Sequence, residues 1–598
     1  MIRRHIAATA ACAFSLLAFS FTSATAVAED VISPLDRGAA LYSWDAEQVI
    51  TGENHLATSI PSTFTGTNVA PIIGADTFYT AGFNGTNSIT TNVEAGHIWQ
   101  GHETLGHVGT RINAAGVPSA PFGSPAFDRH ATWVGMMIGG RLAPAGPAIY
   151  QTGVAANTDL RSGAVATSWG SSAYALSFGA SVASLAFPYQ SSFGVADTIN
   201  SSWGAVGTSG SAEAAGSDIR SMIIDSLANA NRFTTFVASA GNDGNSGNNT
   251  VGAPGSGYNG ITVGALQNNG ANVYNSVASF SSRGPQDYRH GSGGSILLSR
   301  APVDIAAPGT NLSSAFYGGQ TGGNDASLAG SALSGGPTFY SGGLNGTSFA
   351  APITAGCVSL MHDAASTLGM PVNAEDTRII KATLLNSARK IPGWTNAQTP
   401  HPNGNGGVVT TQSLDYSSGA GAIDMTRTYS QFIQGQTDIA GTTGGSTAQA
   451  RGWDYATASV GSSTDITITT PLLGGSEFRA TLTWFRDRTY ISSSSQVDNG
   501  FADLNLQIWD SAFTTLISES KSLYNEVEHL VFNLPATGTY ALRVQYAGNT
   551  FGSINAEEFG LAWWGTAVPE PTTLLLLLPA LAAITIQRKR PGRNGRAT

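Results

Sequence analysis

The sequence predicts an α/β domain with a mainly parallel sheet, followed by an all-β sandwich domain. Two observations carry the first half. Between about residues 75 and 430, short apolar runs such as "FTTFVASA", "GITVGAL" and "VDIAAPG" end in glycine or turn residues. They alternate with helical stretches such as "AAGSDIRSMIIDSLANA". Strands that are apolar throughout are covered on both faces, as in sheets whose crossovers are helices. The third observation is a change of texture from about residue 431. "STDITITT", "FRATLTW", "DLNLQIWD", "HLVFNL" and "TYALRVQYAG" are alternating runs separated by turns, with no helical period.

The chain has 598 residues, 41% hydrophobic and 11% charged, with 73 glycines. That is too long for one core, and two or more domains are expected. The net charge is -10 and no Lys/Arg cluster lies inside the body of the chain, so nucleic acid is not expected as a partner.

Residues 1–28 read as a signal peptide. Arg3 and Arg4 precede an apolar run that closes on Ala26-Val27-Ala28, a small-residue cleavage pattern, so the mature chain starts near Glu29. Cys12 leaves with this segment, and Cys357 in an apolar run reads as a small buried residue. Residues 29–74 form a polar, irregular N-terminal segment. Within 75–430, "EDTRIIKATLLNSAR" puts Ile380, Leu384 and Ala388 on one helical face, a core stripe. Residues 431–566 form the sandwich domain. Residues 567–598 join Val568-Pro569-Glu570-Pro571 to a short apolar stretch, Leu574 to Ile586, and then to Arg588-Lys589-Arg590. The apolar stretch is shorter than the ~20 residues of a comfortable membrane span. This tail resembles the PEP-CTERM sorting signal of Gram-negative-type bacteria. The resemblance implies export across the inner membrane, recognition by exosortase-like sorting machinery, and membrane contact through the tail before its removal. A plain tail anchor is the alternative.

Three stretches bear chemistry. In "LNGTSFAAPITAG", Ser348 starts a slim helix, where free N–H groups face a developing negative charge. The same pattern suits a capped, buried helix. In "DRHATWVGMMIGG", His130 starts a helix with its ring at the sheet edge, placed for general-base work; a lone histidine is also commonly structural. In "TTFVASAGNDGN", Asn242 follows a buried strand, where active sites of open α/β sheets form. Its amide can donate to an oxyanion, and an ordinary turn is the alternative.

Together, "HATWVG", "ASAGNDG" and "NGTSFAAP", with "TVGAPGSGYNGITVGA", "VASFSSRGP" and "VDIAAPG" between, resemble the subtilisin-like serine peptidases (subtilases, peptidase S8) over about 75–430. The resemblance implies a three-layer fold. It makes Ser348 the nucleophile, His130 the general base and then acid, and Asn242 the oxyanion donor beside the Ser348 N–H. It also implies a Ser-x-Gly strand end that binds substrate. Ser168-Trp169-Gly170 and Ser202-Trp203-Gly204 both qualify. The second leads through one helix to the Asn242 strand and is chosen, with Trp203 expected on the wall of a specificity pocket.

One departure concerns the triad acid. Where the family carries Asp-Thr/Ser-Gly, this chain has Glu94-Ala95-Gly96. Glu94 is read as a working substitute, as in the related sedolisins; a weakened or a dead site are the other readings. Asp76 and Asp128 are alternative acids. Residues 29–75 leave little room for an inhibitory prodomain. The C-terminal domain resembles the jelly-roll domains attached to some subtilases, which implies a stabilising or substrate-docking role. Asp487, Asp503, Asn505 and Glu528 are oxygen donors of the kind calcium uses; no metal site is assigned to them, no cofactor is certain, and a structural calcium is left open. The sequence thus points to an exported serine endopeptidase acting on protein or peptide substrates. A silent surface protein that binds through the same fold is the rival.

Overall fold

The computed structural model describes residues 68–102, 104–113, 127–141, 152–165, 182–290, 295–315, 340–437 and 446–569, with two-residue strands at Asp30–Val31, Trp44–Asp45 and Ala175–Leu176. The expected signal peptide, most of the 29–74 segment, Ser168-Trp169-Gly170 and all but the first residues of the sorting tail lie outside the described residues.

The apolar runs form an eight-stranded sheet: β1 (Ile89–Glu94), β2 (Arg111–Asn113), β3 (Asp159–Ala164), β4 (Thr198–Ser201), β5 (Thr235–Ser239), β6 (Ile261–Asn268), β7 (Tyr274–Val277) and β8 (Ile305–Pro308). The spatial order is β7-β6-β5-β4-β1-β3-β2, with β8 also on β6. All pairs are parallel except β7 on β6, so the sheet is mixed with one antiparallel edge. Every side chain of β4 and β5 is buried, which explains the apolar run that β5 shows in the sequence; β4, Thr-Ile-Asn-Ser, is buried although mostly polar.

Helices cover both faces. On one side α1 (Arg129–Gly139) and the long α3 (Thr347–Leu368) share a core with Val237, Val263 and Ile305. On the other, Ile219, Ile223 and Leu227 of α2 (Ile219–Ala230) pack with Val93, Ile199 and Phe236. α3 is slim where it must be: a Cβ on Gly356 would lie 2.6 Å from the Val154 Cβ. Pro352 falls beyond the first turn of α3, so the carbonyl of Ser348 receives no helical N–H from it. Cys357 is buried in this core, and burial pushes its thiol pKa up.

Among the described residues 446–569 the regular elements are all strands. A nine-stranded and a four-stranded sheet, mostly antiparallel, contribute to one apolar core, with Ile466, Leu504 and Leu542 from the first and Leu482, Leu530 and Phe559 from the second. The division at 430/431 is not clean. Val408–Thr410 pairs in parallel with Leu516–Ser520, so the larger sheet recruits strands from before the boundary. Helix α4 (Thr377–Ser387) also lies against Ala556–Trp564, closely enough that a Cβ on Gly560 would meet the Arg378 carbonyl carbon at 2.6 Å.

The two parts are joined by buried charge. Arg488 Nη1 donates to the Gly216 carbonyl at 2.8 Å and to Asp225 at 2.5 Å, and its Nε bonds Asp498 at 3.2 Å. The guanidinium groups of Arg300 and Arg486 both lie over the Tyr258 ring, 3.8 and 4.6 Å from its centroid. Among the described residues no helix is long and apolar enough to cross a membrane.

Candidate active site

The chain order of the sheet reverses at β1, which has β3 on one side and β4 on the other. Ligand crevices of open α/β sheets form at the carboxyl ends of strands flanking such a point. Glu94 is the last residue of β1, Ser202 follows β4, and Asn242 lies just past β5. Thr90 pairs with Thr198 and Asn92 with Asn200, so continuing that register brings Glu94 beside Ser202.

His130 enters from the helical layer. The Asp128 carboxylate caps α1, accepting the N–H groups of His130 (3.1 Å) and Ala131 (3.2 Å). Asn92 Nδ2 donates to the Ala131 carbonyl at 3.3 Å, tying this turn to β1. The imidazole Nδ1 then lies 3.0 Å from Glu94 Oε2, with both side chains 1% exposed. The second carboxylate oxygen, Oε1, accepts the Ser202 N–H at 2.7 Å. Glutamate's extra methylene is accommodated because both oxygens are anchored. Burial raises the Glu94 pKa above its ordinary value, opposed by the imidazole and the Ser202 N–H.

Ser348 is in the first turn of α3, and its Oγ donates to the Ser202 carbonyl at 3.1 Å. Ser202 therefore touches the acid through its N–H and Ser348 through its C=O. The Phe349 ring, next in sequence, lies 6.5 Å from the His130 ring, which sets the start of α3 beside the imidazole. Asn242 Oδ1 accepts both the N–H and the Oγ–H of Thr347 at 2.9 Å. That fixes the amide orientation, and Asn242 lines the same cleft as Ser348. Gly204 and Ala205 and the segment Ser239 to Asp243 line this cleft.

The structure thus brings together Glu94, His130, Ser202, Asn242 and Ser348, and places Gly204 on the cleft wall. Trp203 does not line it. Its ring is 1% exposed in the core beside Tyr189, and its Nε1 donates to the Val93 carbonyl at 2.9 Å. Side chains alternate along an extended segment, so the residue between Ser202 and Gly204 turns inward. Neither alternative acid takes the place of Glu94. Asp128 is occupied as a cap, and Asp76 is exposed in the first turn of the helix Asp76–Thr80.

Thr347, which sets the Asn242 amide, had no separate signal in a chain so rich in serine and threonine. The buried pair beneath the site, Asn200 Nδ2 on Asn92 Oδ1 at 2.9 Å, was equally silent. The oxygen-bearing residues of the C-terminal part are dispersed. Asp487 accepts from Asn229 (3.0 Å) and Asn499 (3.2 Å), while Glu528 is held by Ser520 and Ser522. No group of three or more metal-ligating side chains occurs among the described residues.

The model of the subtilase family (peptidase S8) matches residues 110–413, just over half of the 598-residue chain. The chain belongs to the subtilase family. In this subtilase the matched segment contains His130, Asn242 and Ser348, and Glu94 precedes it. The family is one of serine-type peptidases. The fold is similar to the protease domain of PatA, solved as a mutant, at 18% identity over 58% of this chain and 95% of that one, with a TM-score of 0.38. It is also similar to the serine protease of Aeromonas sobria, at 14% identity over 81% and 89% of the two chains, with a TM-score of 0.40. No curated protein matches the subtilase chain in sequence.

Proposed function

We propose that the chain is an exported serine endopeptidase that cleaves protein or peptide substrates through an acyl-enzyme, with Glu94 as the triad acid. The observation that carries this reading is the 3.0 Å contact between Glu94 Oε2 and His130 Nδ1. A carboxylate on Nδ1 keeps that proton in place and leaves Nε2 as the base, and it stabilises the imidazolium once formed. In the reaction Ser348 Oγ turns from the Ser202 carbonyl toward His130, gives up its proton and attacks the substrate carbonyl. The Asn242 amide and the Ser348 N–H receive the oxyanion. His130 then protonates the leaving amine, and water repeats the sequence on the acyl group.

The organisation proposed with it comprises a signal peptide at 1–28, an N-terminal segment to 74, a catalytic domain at 75–430, a jelly-roll-like sandwich at 431–566 and a PEP-CTERM-like tail from 567. The final location is periplasmic, at the cell surface or secreted, with exosortase-like machinery acting on the tail. Hydrolysis of an unstructured protein such as casein, read as new α-amino groups, tests the activity. Wild-type protein is expected to cleave and Ser348→Ala to be folded and inactive. Equal cleavage by both would refute the assignment.

A further inference from the structure

A cavity that shares no lining residue with the cleft at Ser348 lies where the helices meet the sandwich. Its volume is about 200 Å³, room for several waters at about 30 Å³ each. On the helical side it is lined by Asn386 and Ser387, at the end of α4, and by Arg427, in the first turn of α5 (Met425–Phe432). From the sandwich come Glu477 and Arg479 of the strand Glu477–Trp484, with Trp564 and Thr566.

The lining thus carries two guanidinium groups against one carboxylate. The Arg479 side chain is 5% exposed. Its Nε donates to Glu477 Oε1 at 2.6 Å and its Nη1 to the Ala388 carbonyl at 2.5 Å, just past α4. Its Nη2 finds no acceptor among the described residues. The Arg427 guanidinium is half-exposed, and its Nε lies 3.6 Å from Asp424, too far for a hydrogen bond. Asn386 Nδ2 and Ser387 Oγ are already committed to Gln431 Oε1, at 3.1 and 3.2 Å, which holds that wall in place. Burial lowers the Arg479 pKa; the bond to Glu477 opposes this, and the charge of Arg427 adds to it. Two like charges that share a partly desolvated cavity repel, and an anion between them removes that cost.

The geometry points to a binding site for a tetrahedral oxyanion, a phosphate or sulfate group, between Arg427 and Arg479. Arg479 Nη2, the Arg427 fork and the Thr566 hydroxyl belong to three separate segments. Donors spread in this way suit oxygens that point in several directions better than the planar pair of a carboxylate. Trp564 and Thr566 also line a neighbouring cavity of about 400 Å³ with Gln434 and Arg451, so a group carried on a larger molecule has space beside the site. Arg427 precedes the sandwich and Arg479 belongs to it, so the bound anion ties the two parts together. The site does not depend on the peptidase reading.

Isothermal titration calorimetry on the full chain at constant ionic strength tests this, with inorganic phosphate, sulfate, glucose 6-phosphate and acetate as probes. The titrations are repeated on Ser348→Ala, which keeps the cavity and excludes any contribution from hydrolysis. Saturable one-to-one binding of phosphate and sulfate is expected, with acetate at least about 10-fold weaker. Glucose 6-phosphate binding more tightly than phosphate would identify a group on a larger molecule as the ligand, and weaker binding the free ion. Arg427→Gln, at a half-exposed position, should weaken phosphate by at least about 10-fold through loss of a charge-assisted hydrogen bond. Thr566→Val, also at an exposed position, should weaken it by about 3-fold and serves if Arg427→Gln misfolds. Phosphate should also raise the Tm of the wild type and saturate, with a smaller rise in Arg427→Gln; general salt exclusion would raise both alike. Absence of saturable phosphate and sulfate binding, equal affinity in the wild type and both variants, or acetate binding more tightly than phosphate would overturn the inference.

Discussion

Glu94 Oε2 lies 3.0 Å from His130 Nδ1 while Oε1 of the same carboxylate holds the Ser202 N–H at 2.7 Å. The acid is thereby fixed at both ends, one oxygen to the imidazole and one to the strand that contacts Ser348. Glu94→Gln keeps the shape but presents an amide that can donate to Nδ1 and trap the wrong tautomer. kcat is expected to fall by about 10⁴-fold, as for loss of the carboxylate in a serine triad. Glu94→Asp, one methylene shorter, cannot reach both partners and should fall less. Steady-state kinetics on proteins with matching circular dichroism check both.

Asn242→Ala should lower kcat by about 10²- to 10³-fold with little change in KM, the usual loss for one oxyanion donor. Thr347→Val removes the hydroxyl that bonds Asn242 Oδ1 and should act in the same direction more weakly, with Thr347→Ser restoring the rate. Single-turnover acylation with an activated ester separates this effect from product release.

Much of this site was legible because each residue sits in a contiguous stretch with its own reason. An apolar strand delivers Asn242, a turn delivers Ser348 onto a helix, and a polar cap precedes His130. What stayed hidden depends on contacts between distant segments. Nothing near Trp203 says which way its ring turns, and that is decided by Val93 and Tyr189, each from a different element. The Val408–Thr410 strand joins the larger β-sheet through a partner more than one hundred residues later, beyond the reach of local periodicity. The acid-arginine network around Arg488 likewise reads, residue by residue, as ordinary surface charge.

That network yields a stability prediction. Arg488→Leu leaves Asp225 and Asp498, both buried, without one of their cations. Breaking a buried pair on one side costs about 3–5 kcal/mol. The midpoint of urea unfolding should drop accordingly, since Arg488 also joins the C-terminal sheet to the Gly216 carbonyl.

Glu528 gives a pH dependence of defined sign. Burial pushes its pKa to about 8, from an ordinary value of 4.5. Between those values the native state holds a proton that the unfolded chain releases. Its contribution to stability is therefore complete below about pH 4.5 and lost as pH rises through about 8. Glu528→Gln mimics the protonated form and keeps partners for Ser520 and Ser522. Thermal unfolding should show a variant-minus-wild-type Tm difference that grows from pH 5 to pH 9; a flat difference would exclude the proton uptake.

The most direct measurement is covalent labelling of the folded wild-type chain by a fluorophosphonate, mapped by mass spectrometry. Our account predicts a single phosphonylated serine at position 348, greatly slowed in Glu94→Gln and absent in Ser348→Ala. A folded wild-type chain whose Ser348 stays unmodified, or one labelled equally fast after Glu94→Gln, would contradict it.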